Sequence, residues 1–186
     1  AIRLHLAGSP EKVSELPNIY LVYGDLTDQE MNALYNHEKV KAHVSFTHGE
    51  GYGHPLLLAS LSGKPLIVPN WSGHLDFLNP KFVKLLDGAV GQIHPEAVNE
   101  HLIAESGWFS VNYSQAQDVL KNTFYHYGAY LEKAESLRVE NEEKFSMKAM
   151  DVVLHGILDK YVPKFAVEQK LVLPKLKKVE LPKLVK

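Results

Sequence analysis

The chain has 186 residues, of which 45% are hydrophobic and 23% charged, a composition suited to a globular domain with a buried core. A formal net charge of -2 provides no basic footprint for nucleic acid, and the absence of cysteine excludes disulfides, thiolate nucleophiles and cysteine-based zinc sites. No apolar run approaches the roughly 20 residues of a transmembrane segment and the first residues do not resemble a signal peptide, so the expected location is cytoplasmic.

In chain order, residues 2–7 alternate like a strand already under way, and a missing upstream part is therefore expected. Short apolar runs at 18–23 (NIYLVY), 41–47 (KAHVSFT), 65–69 (PLIVP) and 82–86 read as further buried strands, each closed by a glycine or asparagine turn. Between them, residues 27–40 read as a helix opened by the capping box Thr27 and Glu30, with Met31, Leu34 and Tyr35 as its apolar stripe. Residues 55–62 form a short apolar helix ended by Gly63. Strand alternating with helix predicts an α/β fold, Rossmann-like, with a mainly parallel sheet flanked by helices. Beyond Asn112 the pattern turns helical, with a second capping box at Ser114 and Gln117, a long helix over 115–143 and another from Ser146 to about Leu158, stopped by Pro163. The division expected is a domain over 1–162 and an extended Lys/Pro-rich tail over 163–186, where Leu173-Pro174-Lys175-Leu176 recurs as Leu181-Pro182-Lys183-Leu184.

The stretch richest in chemistry runs from Val44 to Leu57 and contains His48-Gly49-Glu50-Gly51-Tyr52-Gly53-His54-Pro55. A strand enters a glycine-rich turn, and Pro55 suits the first turn of the helix that follows. Glycines let a ligand approach the backbone, and unpaired N–H groups at a helix start favour phosphate. An acid in such a turn makes sense if Glu50 accepts hydrogen bonds from hydroxyl groups beside the phosphate, a combination that suggests a sugar phosphate. On spacing alone the same residues equally describe a tight strand-to-helix turn with Glu50 solvated.

The segment from Glu50 to Leu57, closed by Gly63-Lys64-Pro65-Leu66-Ile67-Val68, resembles the E-G-F-G-x-P-x-x-E-A-x-x-x-G-x-P-V-I signature of GT-B glycosyltransferases, more narrowly the retaining family 4 type. Gly73 and Asp76 stand where that family has a G-x-x-E turn, and Trp108 followed by Glu143-Lys144-Phe145-Ser146 is similar to its closing stretch. The resemblance covers roughly residues 1 to 160. It implies the C-terminal, donor-binding half of a hexosyltransferase that takes a nucleotide-diphosphate sugar, with no cofactor and no essential metal. Glu50 would be the catalytic residue, hydrogen-bonding the hydroxyls of the donor sugar. His48, Gly49, Gly51, Tyr52, Gly53 and His54 would surround sugar and diphosphate, and Leu56 and Leu57 would lie near the nucleotide end. The N-terminal acceptor-binding domain would be the missing partner, without which no transfer is expected. Two departures stand out. Leu58 occupies the place of the signature's second glutamate, which contacts the ribose in the family, and no Arg-x-x-x-x-Lys element precedes the motif.

Other constellations carry less. His48, His54 and His74 flank the motif, but their spacing matches no zinc pattern. Trp71 and Tyr52 have the chemistry to stack on a base or sugar, and equally to pack within the core. Two further readings remain beside the transferase: a non-catalytic sugar-nucleotide or carbohydrate-binding module, and an interaction protein that docks through its tail.

Overall fold

The capping box at Thr27 opens the first helix of the computed structural model, which describes residues 17–163. Residues 17–144 belong to one unit and the described residues from 145 onward to a second, and each is taken by itself. In α1 (Asp28–Asn36) the Thr27 amide donates to the Glu30 carboxylate at 2.8 Å, and the Glu30 amide donates back to the Thr27 hydroxyl at 3.3 Å. The backbone hydrogen bond from Thr27, joined by one from its side chain, holds the Glu30 carboxyl below the usual range. The helix stops at Asn36, four residues short of the expected end. There the Lys64 ammonium donates to the carbonyls of Tyr35 (2.7 Å) and His37 (2.6 Å), closing the helix end, and His37 turns out of helical space.

Three parallel strands, β1 (His43–Val44), β2 (Leu66–Pro69) and β3 (Lys84–Leu86), form a small sheet in the order β1-β2-β3, with His43 opposite Leu66 and Ile67 opposite Lys84. Every residue of the central strand β2 is buried, which explains why it reads as an unbroken apolar run. Between β1 and β2 lies α2 (His54–Ser60), which buries Leu56, Leu57, Ala59 and Ser60. Gly63 follows with φ +65°, the left-handed conformation expected of a glycine beyond a helix end.

The mixed α/β class is as expected, but the sheet is smaller. Residues 18–23 form no strand: Tyr20, Leu21, Val22 and Tyr23 are exposed and make no ladder. An apolar run becomes a strand only when a neighbouring strand takes its N–H and C=O groups, and no described strand does so here. The strand expected at 2–7 lies outside the described residues, as does the tail beyond Pro163.

A second sheet was not foreseen. β4 (Gly88–Gln92) pairs antiparallel with β5 (Gly107–Val111), Gly88 opposite Val111 and Gln92 opposite Gly107. Gly-Ala-Val-Gly-Gln has little of the β-branched and aromatic content that marks a strand. Gly88 is required by close approach, since a Cβ there would lie 2.2 Å from the Ser110 carbonyl oxygen. This pairing returns Phe109 and Val111 to the core, where they meet Ile67, Leu86, Ala116 and Val119.

The next helix, α3 (Tyr113–Tyr125), is capped by Asn112, whose side chain accepts from the Gln115 amide at 3.1 Å. The cap is thus two residues before the expected Ser114, because an asparagine oxygen reaches the same orphan amides as a serine hydroxyl. The long helix expected over 115–143 is broken at His126, and α4 (Tyr127–Phe145) follows. Apolar spacing runs on across a single non-helical residue, so periodicity does not reveal this break. In α4 the buried Asn141 amide donates to the Ser60 hydroxyl at 2.8 Å, tying α4 to the end of α2.

In the second unit, α5 (Met147–Tyr161) begins where expected, with the Ser146 hydroxyl accepting from the Ala149 amide at 3.2 Å. It ends at Val162, which takes the extended backbone imposed by the following Pro163. No described helix is long and apolar enough to cross a membrane.

Candidate functional site

The loop from His48 to Gly53 leaves the carboxyl side of β1 and runs into α2, the position where ligands bind in open parallel sheets. It is fastened on two sides. On one, the Ser72 hydroxyl accepts from the Glu50 amide at 2.7 Å and itself donates to the Glu50 carbonyl, which also receives the Gly73 amide at 3.0 Å. On the other, the Phe109 amide of β5 donates to the His48 carbonyl at 3.0 Å. The His48 ring lies 2.7 Å from the Phe109 carbonyl through Nδ1, so that nitrogen donates to it. The same ring stacks on Trp108, with centroids 4.0 Å apart and planes 15° from parallel.

The glycines divide into two kinds. Gly53 sits at φ +84°, and a Cβ on it would approach the His74 Cβ to 2.9 Å; one on Gly73 would fall 2.2 Å from the Gly51 carbonyl oxygen. The fold demands both. Gly51 differs, because its φ is not positive and a Cβ there would meet nothing within 4 Å. No described neighbour accounts for a glycine at that position. The amides of Gly51, Tyr52 and Gly53 donate to no acceptor among the described residues, and the half-buried Glu50 carboxylate has neither a hydrogen bond nor an ion pair there. The loop therefore offers donors and an acid that the protein does not itself use. α2 has only seven residues, so the dipole behind the loop is short.

Ser72 is the one described residue other than glycine with positive φ, at 85°. Strain of this kind persists only where the surroundings enforce it, and here it directs the hydroxyl at the Glu50 backbone. Behind the loop, His74 is wholly buried and donates through Nε2 to the Pro69 carbonyl at 2.7 Å, leaving Nδ1 without a partner.

A cavity of about 500 Å³ opens beside the loop, lined by His54, Pro55, Leu58 and Leu61 of the α2 segment and by Asp28, Met31, Asn32, Tyr35 and Asn36 of α1. Of the three leucines in this stretch, two do not line it. Leu56 and Leu57 are buried in the core, and the side chain that faces the cavity is Leu58, 40% exposed. The helical period explains this, because one face of α2 is buried while Leu58 falls on the other. The contributions of Ser72 and of α1 were missed by sequence reading, since the first depends on backbone strain and the second on packing between helices. Among the described residues no three histidine or acidic side chains gather as a metal ligand set.

Comparison of the chain with protein-family models, curated proteins and solved structures found no match.

Proposed function

We propose that this chain binds a nucleotide-diphosphate sugar and forms the donor-binding part of a retaining GT-B hexosyltransferase. The observation that carries the reading is the Glu50 loop, clamped at its backbone by Ser72 and Gly73 yet leaving the Glu50 carboxylate and the Gly51–Gly53 amides unengaged by the described protein. A carboxylate accepts hydrogen bonds from sugar hydroxyls, while a run of free amides receives the diphosphate oxygens. The open space at Gly51 supports close approach of such a ligand to the backbone. The adjoining cavity is of a size usual for a small-molecule subsite and supports seating of the nucleoside. In the reaction so proposed, the bond from the sugar's anomeric carbon to the diphosphate breaks. The acceptor hydroxyl oxygen bonds to that carbon and its proton goes to the departing nucleoside diphosphate, on a face completed by an acceptor-binding partner domain.

Leu58 in that cavity favours a second reading at the same place, a module that binds a sugar nucleotide or carbohydrate without transferring it.

Calorimetry with UDP, GDP, ADP and their hexose conjugates tests the first step common to both. Glu50→Ala should reduce affinity for the sugar conjugate by about ten- to a hundredfold while sparing the free nucleotide, the effect of one charge-assisted hydrogen bond of about 1.5–3 kcal/mol. Equal losses for both ligands would remove Glu50 from the sugar subsite. Supplying an acceptor-binding domain and assaying transfer then separates enzyme from binding module.

A further inference from the structure

The cavity beside the Glu50 loop is a slot between two helices that run in the same direction. Lys64, just before β2, holds the carbonyls of Tyr35 and His37 at the end of α1, so that end lies by the amino ends of the strands. Asp28, which begins α1, therefore lies toward their carboxyl ends, where the loop enters α2. α2 lines the slot with His54, Leu58 and Leu61, and α1 with Asp28, Asn32 and Tyr35, each a stripe of helical spacing. His54 directly follows the Gly51–Gly53 amides, so the slot adjoins the proposed diphosphate seat. Asp28 is the one acidic side chain that lines it, and its carboxylate makes no hydrogen bond or ion pair among the described residues. Glu30, the other acid in this first turn, is committed to the cap at Thr27. One turn on from Asp28, Asn32 accepts from the Asn36 amide through Oδ1 at 3.0 Å, and its own N–H donors have no partner among the described residues. The helix dipole accounts for an acid in the first turn, but not for the cavity that this one lines.

From an unengaged carboxylate with an amide donor one turn away, both lining the slot that adjoins the diphosphate seat, we propose that Asp28 and Asn32 hold the ribose of the nucleotide. The donor is then a ribonucleotide sugar and not a 2′-deoxyribonucleotide sugar. The inference rests on the donor-site reading and adds to it the class of nucleotide. In a nucleoside diphosphate the pentose is the group next to the phosphates, and its 2′ and 3′ hydroxyls form a vicinal pair. A carboxylate accepts from both at once through its two oxygens. A hydroxyl that donates its proton keeps lone pairs, and the Asn32 amide supplies a donor to them. A 2′-deoxynucleotide lacks one hydroxyl of the pair and leaves a carboxylate oxygen without its partner, against a wall where Leu58 and Leu61 offer no substitute.

The test is calorimetry on the full chain with whichever of UDP, GDP and ADP binds, each set against its 2′-deoxy counterpart, for the wild type, Asp28→Ala and Asp28→Asn. The wild type is expected to prefer the ribonucleotide by roughly ten- to a hundredfold. Asp28→Ala should bring the two forms to within about twofold of each other. Asp28→Asn keeps the size and loses the charge, and should remove most of the preference. Affinity for the deoxy form should not fall in either variant, because a carboxylate repels a diphosphate. A loss shared equally by both forms would mark Asp28 as structural and overturn the assignment. Equal binding of both forms by the wild type, or a preference that survives in Asp28→Ala, also overturns it and leaves the donor site standing. A wild type that binds neither nucleotide nor hexose conjugate overturns the donor reading itself, and this inference with it.

Discussion

The Glu50 amide donates to the Ser72 hydroxyl at 2.7 Å, across a separation of 22 residues that brings the end of β2 against the loop after β1. This bond fixes the backbone from which the Glu50 carboxylate extends, and Ser72 adopts a left-handed conformation to make it. Ser72→Ala keeps the strain and loses the bond. It is expected to lower stability by about 1–3 kcal/mol, because the half-buried loop retains an unpaired amide. Urea denaturation measures that loss, and on the donor-site proposal calorimetry with hexose conjugates should show weaker binding, because Ser72 positions Glu50.

Three of the glycines at the site should respond differently to alanine. Gly73→Ala drives a Cβ into the Gly51 carbonyl and is expected to cost about 3 kcal/mol or more, since backbone has to move. Gly53→Ala combines a left-handed residue with a contact to His74 and is expected to cost about 1–2 kcal/mol or more. Gly51→Ala meets nothing and should stay within about 0.5 kcal/mol of the wild type. Thermal unfolding gives this ranking directly. If Gly51→Ala nevertheless weakens binding of UDP, GDP or ADP, the glycine serves the ligand and not the fold.

Asn141 is 1% exposed and donates its amide to the Ser60 hydroxyl, which in turn donates to the Leu57 carbonyl at 2.6 Å. Asn141→Ala removes this buried link between α4 and α2 and leaves a void. A loss of about 2–4 kcal/mol is expected, from the lost hydrogen bond together with the cavity, and a shift of the urea midpoint at constant slope would show it.

Lys64 closes the end of α1 with two hydrogen bonds to carbonyls that the helix itself leaves unpaired. Lys64→Met keeps the aliphatic stem and removes the donors, so about 1–2 kcal/mol of stability should be lost. The same change relieves the repulsion that Lys64 exerts on His43. NMR titration of the His43 ring should therefore show its pKa rising in the variant.

His43 is partly buried, with Nε2 3.0 Å from the Ser62 hydroxyl and its ring edge-on to Tyr35 at 5.2 Å. Burial, reinforced by Lys64, pushes its pKa below the ordinary 6.5. The unfolded chain then takes up a proton more readily than the folded one. The stabilisation from a neutral His43 is present above the unfolded value and is lost as pH falls through the folded value. Between about pH 7.5 and about pH 5.5 the wild type should lose more stability than His43→Gln, as read from urea midpoints. Equal losses in both would assign the acid sensitivity to other groups.

How far the sequence reaches can be judged at particular residues. Thr27 with Glu30, Ser146, Gly63 and the run Leu66–Pro69 were legible because caps, left-handed glycines and a doubly covered strand depend on near neighbours and on burial of every side chain. The loop from His48 to Gly53 was legible as a strand-to-helix turn for the same local reason. Where pairing decides, local signals failed: 18–23 has the composition of a strand and no partner among the described residues, whereas Gly88–Gln92 has the partner without the composition. Tertiary structure alone gave Ser72 its backbone and its hold on Glu50, turned Leu58 and not Leu56 or Leu57 toward the cavity, and set Trp71 against Phe109. Each of these joins residues far apart in the chain, and such contacts are fixed by packing among all the elements at once and not by the propensities of any segment.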